Sequence, residues 1–196
     1  MNDDILQMRP YIPRPIYTER IKPFIDKEII KVISGQRRVG KSYILFQLID
    51  TIKHSNPLAN IIYINKELKP HEQIVDNDKL YQYVKTNLKT GAKNYLFVDE
   101  IQEIEGFERA LRSLLAENCC DIFCSGSNAN MLSGELATFL AGRYVEFTIH
   151  SLGYDEFLNF CVTQNLSCNY VYTHDGVISI LGNVDIKYGI YGVYND

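Results

Sequence analysis

The chain has 196 residues, 46% of them hydrophobic and 22% charged, with a formal net charge of −4. That is apolar material for one packed domain with some chain to spare. The balance calls for neither a nucleic-acid partner nor a membrane, and no apolar run approaches spanning length.

Residues 1–27 read as an irregular arm. Pro10, Pro13, Pro15 and Pro23 interrupt it and leave room for a short helix around Thr18 to Ile25. From residue 28 the pattern becomes regular. "EIIKVIS" (Glu28 to Ser34) is a buried strand rich in β-branched residues, and "KSYILFQLIDTIK" (Lys41 to Lys53) has helical spacing. "NIIYIN" (Asn60 to Asn65) is a second strand. "DNDKLYQYVKTNLK" (Asp76 to Lys89) is a helix with capping residues at its start and Gly91 near its close. "NYLFVDE" (Asn94 to Glu100) is a third strand, and "GFERALRSLLAE" (Gly106 to Glu117) is an amphipathic helix. "DIFCSGS" (Asp121 to Ser127) is a fourth strand, "NANMLSGELATFLAG" is largely helical, and "RYVEFTIH" (Arg143 to His150) is a fifth strand. "GYDEFLNFCV" reads as one more helix, ending the regular region near residue 163.

The strands are near-continuous apolar runs, and they alternate with helices. This predicts an α/β fold, a parallel sheet covered by helices on both faces. Residues 164–196 differ, being rich in Tyr, Gly and Asn with weak alternation at Val184, Ile186 and Tyr188. They read as a hairpin turning at Gly182-Asn183 or as a disordered end.

The five cysteines, Cys119, Cys120, Cys124, Cys161 and Cys168, form no Cys-x-x-Cys pair and lie away from the four histidines. They read as free thiols in a reducing compartment. The N-terminus is acidic and then proline-rich, without the charged and apolar regions of a signal peptide. The expected location is cytoplasmic.

Between the first strand and the first long helix stands "GQRRVGKS", Gly35 to Ser42. Gly-x-x-x-x-Gly-Lys-Ser with a strand before it and a helix after it is the phosphate-binding loop pattern, Walker A. Glycines let the backbone curl so that successive N–H groups face a phosphate, and the helix N-terminus adds its dipole. Gly35, Gln36, Arg37, Arg38, Val39, Gly40, Lys41, Ser42 and Tyr43 are the candidate nucleotide-binding residues. Lys41 would reach the outer phosphates, and the Ser42 hydroxyl would ligate Mg²⁺. Arg37 and Arg38 would screen phosphate charge or brace the loop against Glu100 or Glu103.

The third strand ends in Asp99-Glu100, the Walker B pattern. Asp99 would hold Mg²⁺, and Glu100 would act as general base toward water. A guanine-reading Asn-Lys-x-Asp segment is missing; the nearest piece, Asn65 to Leu68, lacks the Asp and lies between the two motifs. A kinase acceptor would not require a base for water. The fourth strand ends in "CSGSN", where Ser127 and Asn128 would either orient the attacking water or cap a helix. Arg143, after a glycine in "LAGRY", would be an arginine finger in cis or from a second subunit, or a surface ion-pair partner. Arg9, Arg14, Arg20 and Lys22 make the arm mildly basic, as a solvated surface or a contact on the adenine side.

These stretches together resemble the bacterial and archaeal AAA-type P-loop ATPases. The resemblance runs from about Arg14 to Phe160 through the Gly-x-Arg-Arg-x-Gly-Lys-Ser loop, the Asp-Glu-Ile-Gln strand end, Gly-Ser-Asn and Gly-Arg-Tyr. It implies a three-layer P-loop NTPase sandwich with strand order 5-1-4-3-2. It also implies ATP and Mg²⁺ as ligands, and it raises Ser127, Asn128 and Arg143 as site residues. The helical segment and C-terminal domain of the family are not recognised after Phe160. The expected function is hydrolysis of ATP coupled to a conformational change, through Glu100, Lys41, Ser127, Asn128 and Arg143. The alternative is a nucleotide-operated interaction module with negligible hydrolysis. A homo-oligomer or a protein is the expected partner, and nucleic-acid binding is not evident.

Overall fold

The computed structural model describes residues 11–127, 140, 142–163, 170–172 and 178–180. Five strands form one parallel sheet: β1 (Ile30–Gly35), β2 (Asn60–Asn65), β3 (Asn94–Asp99), β4 (Asp121–Ser127) and β5 (Tyr144–Ile149). Their order is β2-β3-β4-β1-β5, which is the expected order read from the other edge. The helices are α1 (Pro15–Ile21), α2 (Lys41–Ser55), α3 (Asn77–Asn87), α4 (Phe107–Ala116) and α5 (Tyr154–Thr163).

The strand sequences look uniformly apolar because each supplies two cores. Successive side chains of a strand point to opposite faces. Ile62 and Ile64 of β2, Leu96 and Val98 of β3, and Ile122 and Cys124 of β4 meet Leu80 and Val84 of α3 and Leu111 and Leu114 of α4. The intervening Tyr63, Tyr95, Phe97 and Phe123 meet Tyr17 and Ile21 of α1 and Leu45, Leu48 and Ile52 of α2 on the other face. Phe97 and Phe123 stack with ring centroids 4.6 Å apart. This is the three-layer sandwich of the P-loop NTPases.

Boundaries differ from the sequence reading where proline acts. The first helix starts at Pro15, earlier than expected, since proline's missing N–H costs nothing in a first turn. It tightens into a 3₁₀ turn over Lys22–Phe24, because Pro23 cannot continue the α-helical ladder. Further on, β3 stops at Asp99, and Glu100 turns into the left-handed region with φ 57° and ψ 52°.

One strand residue is charged and wholly buried. Lys31 is 0% exposed, yet it donates to Asp121 and to the carbonyls of Lys27 and Ile29. Its Nζ also lies 4.7 Å from the centre of the Phe123 ring. Asp121 in turn accepts from the Asp26 backbone N–H at 2.8 Å, which ties down the chain entering β1.

Residues Tyr170–Tyr172 (β6) and Ile178–Ile180 (β7) pair antiparallel as a separate two-stranded unit. The turn expected at Gly182-Asn183 and the helix expected over 128–142 lie outside the described residues, apart from 140 and 142. Cys119, Cys120 and Cys124 are free thiols. No helix among the described residues is long and apolar enough to cross a membrane.

Candidate functional site

Parallel strands deliver their carboxyl ends to one rim of the sheet, and there the candidate residues gather. Gly35 ends β1 beside Ser127 of β4 and Ile149 of β5. Its φ is 152°, and a Cβ there would stand 2.4 Å from the Ile149 carbonyl oxygen, so only glycine fits. The loop then exposes Gln36, Arg37 and Arg38 and buries Val39. Gly40, at φ 95° and ψ 22°, forms the cap from which α2 starts at Lys41.

Lys41 is 4% exposed. Its Nζ donates to the carbonyls of Gly35 at 3.2 Å and Gln36 at 3.0 Å, and it lies 3.8 Å from Glu100 Oε1. Burial pulls its pKa below the ordinary lysine value, against the opposing pull of Glu100 and Asp99. The ammonium is thus held between backbone oxygens and the acidic strand end, where a phosphate oxygen would take over those interactions.

Asp99 is 1% exposed and fixed from both sides. Ser125 of β4 donates its hydroxyl to Oδ1, and Tyr63 of β2 donates to Oδ2 at 3.2 Å. Asn65, opposite Asp99 in register, donates to the Tyr63 hydroxyl at 3.4 Å. Glu100 leaves the strand in its left-handed turn. Its backbone N–H donates to Ser125 Oγ at 3.4 Å, and its Oε2 accepts from Gln102. Ser42 lies partly buried in the first turn of α2. Tyr43, beside it, meets Phe46 edge to face at 6.0 Å, and Phe46 meets Tyr63 at 5.5 Å.

Ser42 and Asp99 offer hydroxyl and carboxylate oxygens, the hard donors that suit Mg²⁺, which keeps several waters and shares a nucleotide's phosphates. Gly35 and Gly40, both at positive φ, let the loop curl so that its N–H groups can face a phosphate. Mg²⁺ and a nucleotide therefore match the residues present.

The loop from Gly35 to Tyr43, Asp99, Glu100 and Ser127 come together at this rim. Asn128 lies outside the described residues. Arg143 does not join them. Its carbonyl accepts from the Ile30 N–H at 2.9 Å, at the start of β1 and β5. Six residues of extended chain, at about 3.3 Å each, separate that end from the loop by about 20 Å. A finger in cis is therefore corrected: the exposed Arg143 faces the opposite rim of its own sheet. Arg37 is braced by neither Glu100 nor Glu103; its acidic neighbour is Glu67, 3.9 Å away in an exposed pair.

Arg14 is a second correction. The solvated-surface alternative does not hold, since Arg14 is 5% exposed and bonded on several sides, including to the Val39 carbonyl. Sequence reasoning also missed Ser125, Tyr63, Asn65 and Gln102. Ser125 had a signal: a polar residue inside an apolar strand, beside the strand that carries the carboxylates.

A parallel 2-3-4-1-5 sheet with a glycine loop after β1 and a braced carboxylate ending β3 defines a P-loop NTPase-type domain. More closely, the family model described as "AAA domain" matches residues 27–158, and the chain belongs to that family. An uncharacterized protein of Haemophilus influenzae is 40% identical over 150 residues, which cover 76% of this chain and 38% of that protein. Uncharacterized protein MJ1544 of Methanocaldococcus jannaschii is 39% identical over 133 residues, 67% of this chain and 28% of its own. The chain thus spans well under half the length of these relatives. Among solved structures, the Saccharomyces cerevisiae Hsp104–ADP complex superimposes with a TM-score of 0.64 at 15% identity, over 82% of this chain and 25% of that one. The closed state of Hsp104 with ATPγS and FITC-casein gives 0.58 at 16% identity, over 82% and 30%. These two likenesses concern the fold.

Proposed function

We propose that this domain binds ATP with Mg²⁺ and hydrolyses it, in a cytoplasmic protein whose partner is a second copy or another protein. The observation that carries this is Lys41. A lysine 4% exposed, resting on its own loop's carbonyls and 3.8 Å from Glu100, is a cation held ready for an anion. The Hsp104 structures of the same fold are complexes with ADP and with ATPγS, which supports a nucleotide here.

In this reading the loop amides from Gly35 to Ser42 cradle the phosphates, and Lys41 neutralises the outer ones. Ser42 and Asp99 hold Mg²⁺, which when bound offsets charge on the phosphate oxygens. Glu100 takes a proton from water as its oxygen attacks the terminal phosphorus, and the bond to the bridging oxygen breaks to leave ADP and phosphate. Ser127 and Asn128 orient that water. Arg143 acts only in trans, on the nucleotide of a neighbouring copy. The alternative, a nucleotide-operated switch with negligible turnover, is favoured by the engagement of Glu100 with Gln102 and Lys41.

Phosphate release and ATP titration, with and without Glu100→Gln, test both. Hydrolysis predicts turnover lost by about 10² or more with binding retained. Equal turnover in the variant removes Glu100 as base, and strong thermal stabilisation by ATP without any phosphate release selects the switch.

A further inference from the structure

Arg14 joins four other parts of the chain, three through its guanidinium and one through its backbone. Its Nε and Nη2 fork onto the two oxygens of Glu156 in α5, at 2.8 and 3.0 Å. Nη1 donates to the carbonyl of Val39 in the phosphate loop at 2.9 Å, and Nη2 also reaches the His150 carbonyl at the exit of β5 at 3.0 Å. The Arg14 backbone N–H donates to the Gln47 side chain of α2 at 2.8 Å. Its guanidinium carbon sits 4.5 Å from the centre of the Tyr17 ring, and the Tyr17 hydroxyl accepts from the His150 N–H at 3.1 Å.

Only arginine can do this. Five donors in one rigid plane can satisfy a carboxylate and two separate carbonyls together, whereas a lysine offers a single point of charge. The consequence for the loop follows from peptide geometry. In a trans peptide unit the carbonyl and the next N–H point in opposite directions. Drawing the Val39 carbonyl toward Arg14 therefore turns the Gly40 N–H away from it. That amide belongs to the set a phosphate would use. Arg14 also backs the loop at Gly40, with Nη1 3.7 Å from where a Cβ would stand.

We propose that Arg14 is a positioning residue for the phosphate loop, and that its ion pair with Glu156 couples the state of the loop to the seating of α5. This rests on the nucleotide reading above. A ligand that shifts the Val39–Gly40 peptide alters the hold on Glu156, and a displaced α5 releases the loop. The coupling runs through one side chain with no intervening element.

The test uses the full chain as wild type, Arg14→Lys, Glu156→Gln and Lys41→Ala. Affinity for a slowly hydrolysed ATP analogue with Mg²⁺ is measured by calorimetry. Amide exchange of peptides covering residues 154–163 is followed with and without the analogue. Arg14→Lys keeps the charge and loses the fork, so the analogue's Kd should rise about tenfold; Glu156→Gln should raise it about threefold. Nucleotide should slow exchange across α5 in the wild type and leave it unchanged in both variants. A merely structural role would lower the melting temperature without moving that difference. Should Arg14→Lys fail to fold, Glu156→Gln carries the test, since Arg14 keeps its carbonyl partners there. A wild type that binds the analogue, loses it on Lys41→Ala, and is indifferent to both other substitutions overturns the coupling alone. A wild type that binds nothing overturns the nucleotide reading, and the coupling falls with it.

Discussion

Ser125 donates its hydroxyl to Asp99 across the seam between β4 and β3, and the same oxygen accepts the N–H of Glu100. One hydroxyl thus fixes the candidate metal-binding carboxylate and the start of the turn that aims the candidate base. Ser125→Ala leaves a buried carboxylate oxygen without that donor, at a cost of about 1–3 kcal/mol. We expect Mg²⁺-dependent nucleotide affinity to fall while affinity measured with EDTA stays the same. Calorimetry under both conditions checks this, and an equal loss in each would refute the assigned role.

Lys41 is charged, nearly enclosed, and drawn below its usual pKa by burial. Without a phosphate it is held at a cost to the fold, as residues at functional sites often are. Lys41→Met should therefore melt no lower than the wild type in the absence of nucleotide. It should also lose the upward shift in melting temperature that ATP gives the wild type. A thermal scan with and without Mg-ATP reads both effects.

Lys31 and Asp121 form the buried pair at the other rim. Removing one member strands the other, so Lys31→Ala should destabilise by about 3–5 kcal/mol. Replacing both, with Lys31→Met and Asp121→Leu together, should recover most of that. Urea unfolding of the single and double variants measures the difference, and additive losses would contradict the pairing.

His71 is 2% exposed, with Nδ1 against the backbone of Asn65, and burial lowers its pKa from the ordinary 6.5. The folded protein therefore binds this proton less readily than the unfolded chain. Stability from this group is complete above pH 6.5 and is lost as pH falls below 6.5 toward the lowered folded value. The urea midpoint should drop between pH 7.5 and pH 5.5, and by less in His71→Asn. A variant with the same drop would assign the effect elsewhere.

Much of this was legible in the sequence because it depends on local order. Gly35 to Ser42 carries its phosphate chemistry in its spacing, and the five strands announced themselves as apolar runs. The readings that failed depend on position across the sheet. "GRY" in sequence says nothing of which rim Arg143 occupies; parallel register beside Ile30 decides that. Arg14 reads as one charge among several in a basic arm. Its burial requires Val39, His150 and Glu156, and Glu156 is 142 residues away in the chain. Lys31 stands inside the apolar run of β1, and its partner Asp121 comes from β4, 90 residues away in the chain.

The alternation of strand side chains between two cores has a consequence for damage. A truncation at Leu96 opens a hole beneath α3 and α4, and one at Phe97 opens it beneath α1 and α2. Neighbours in sequence thus injure different halves of the molecule. Val39 of the phosphate loop and Tyr63, which holds Asp99, both belong to the core beneath α1 and α2, so a single lesion there reaches both partners that meet at the rim.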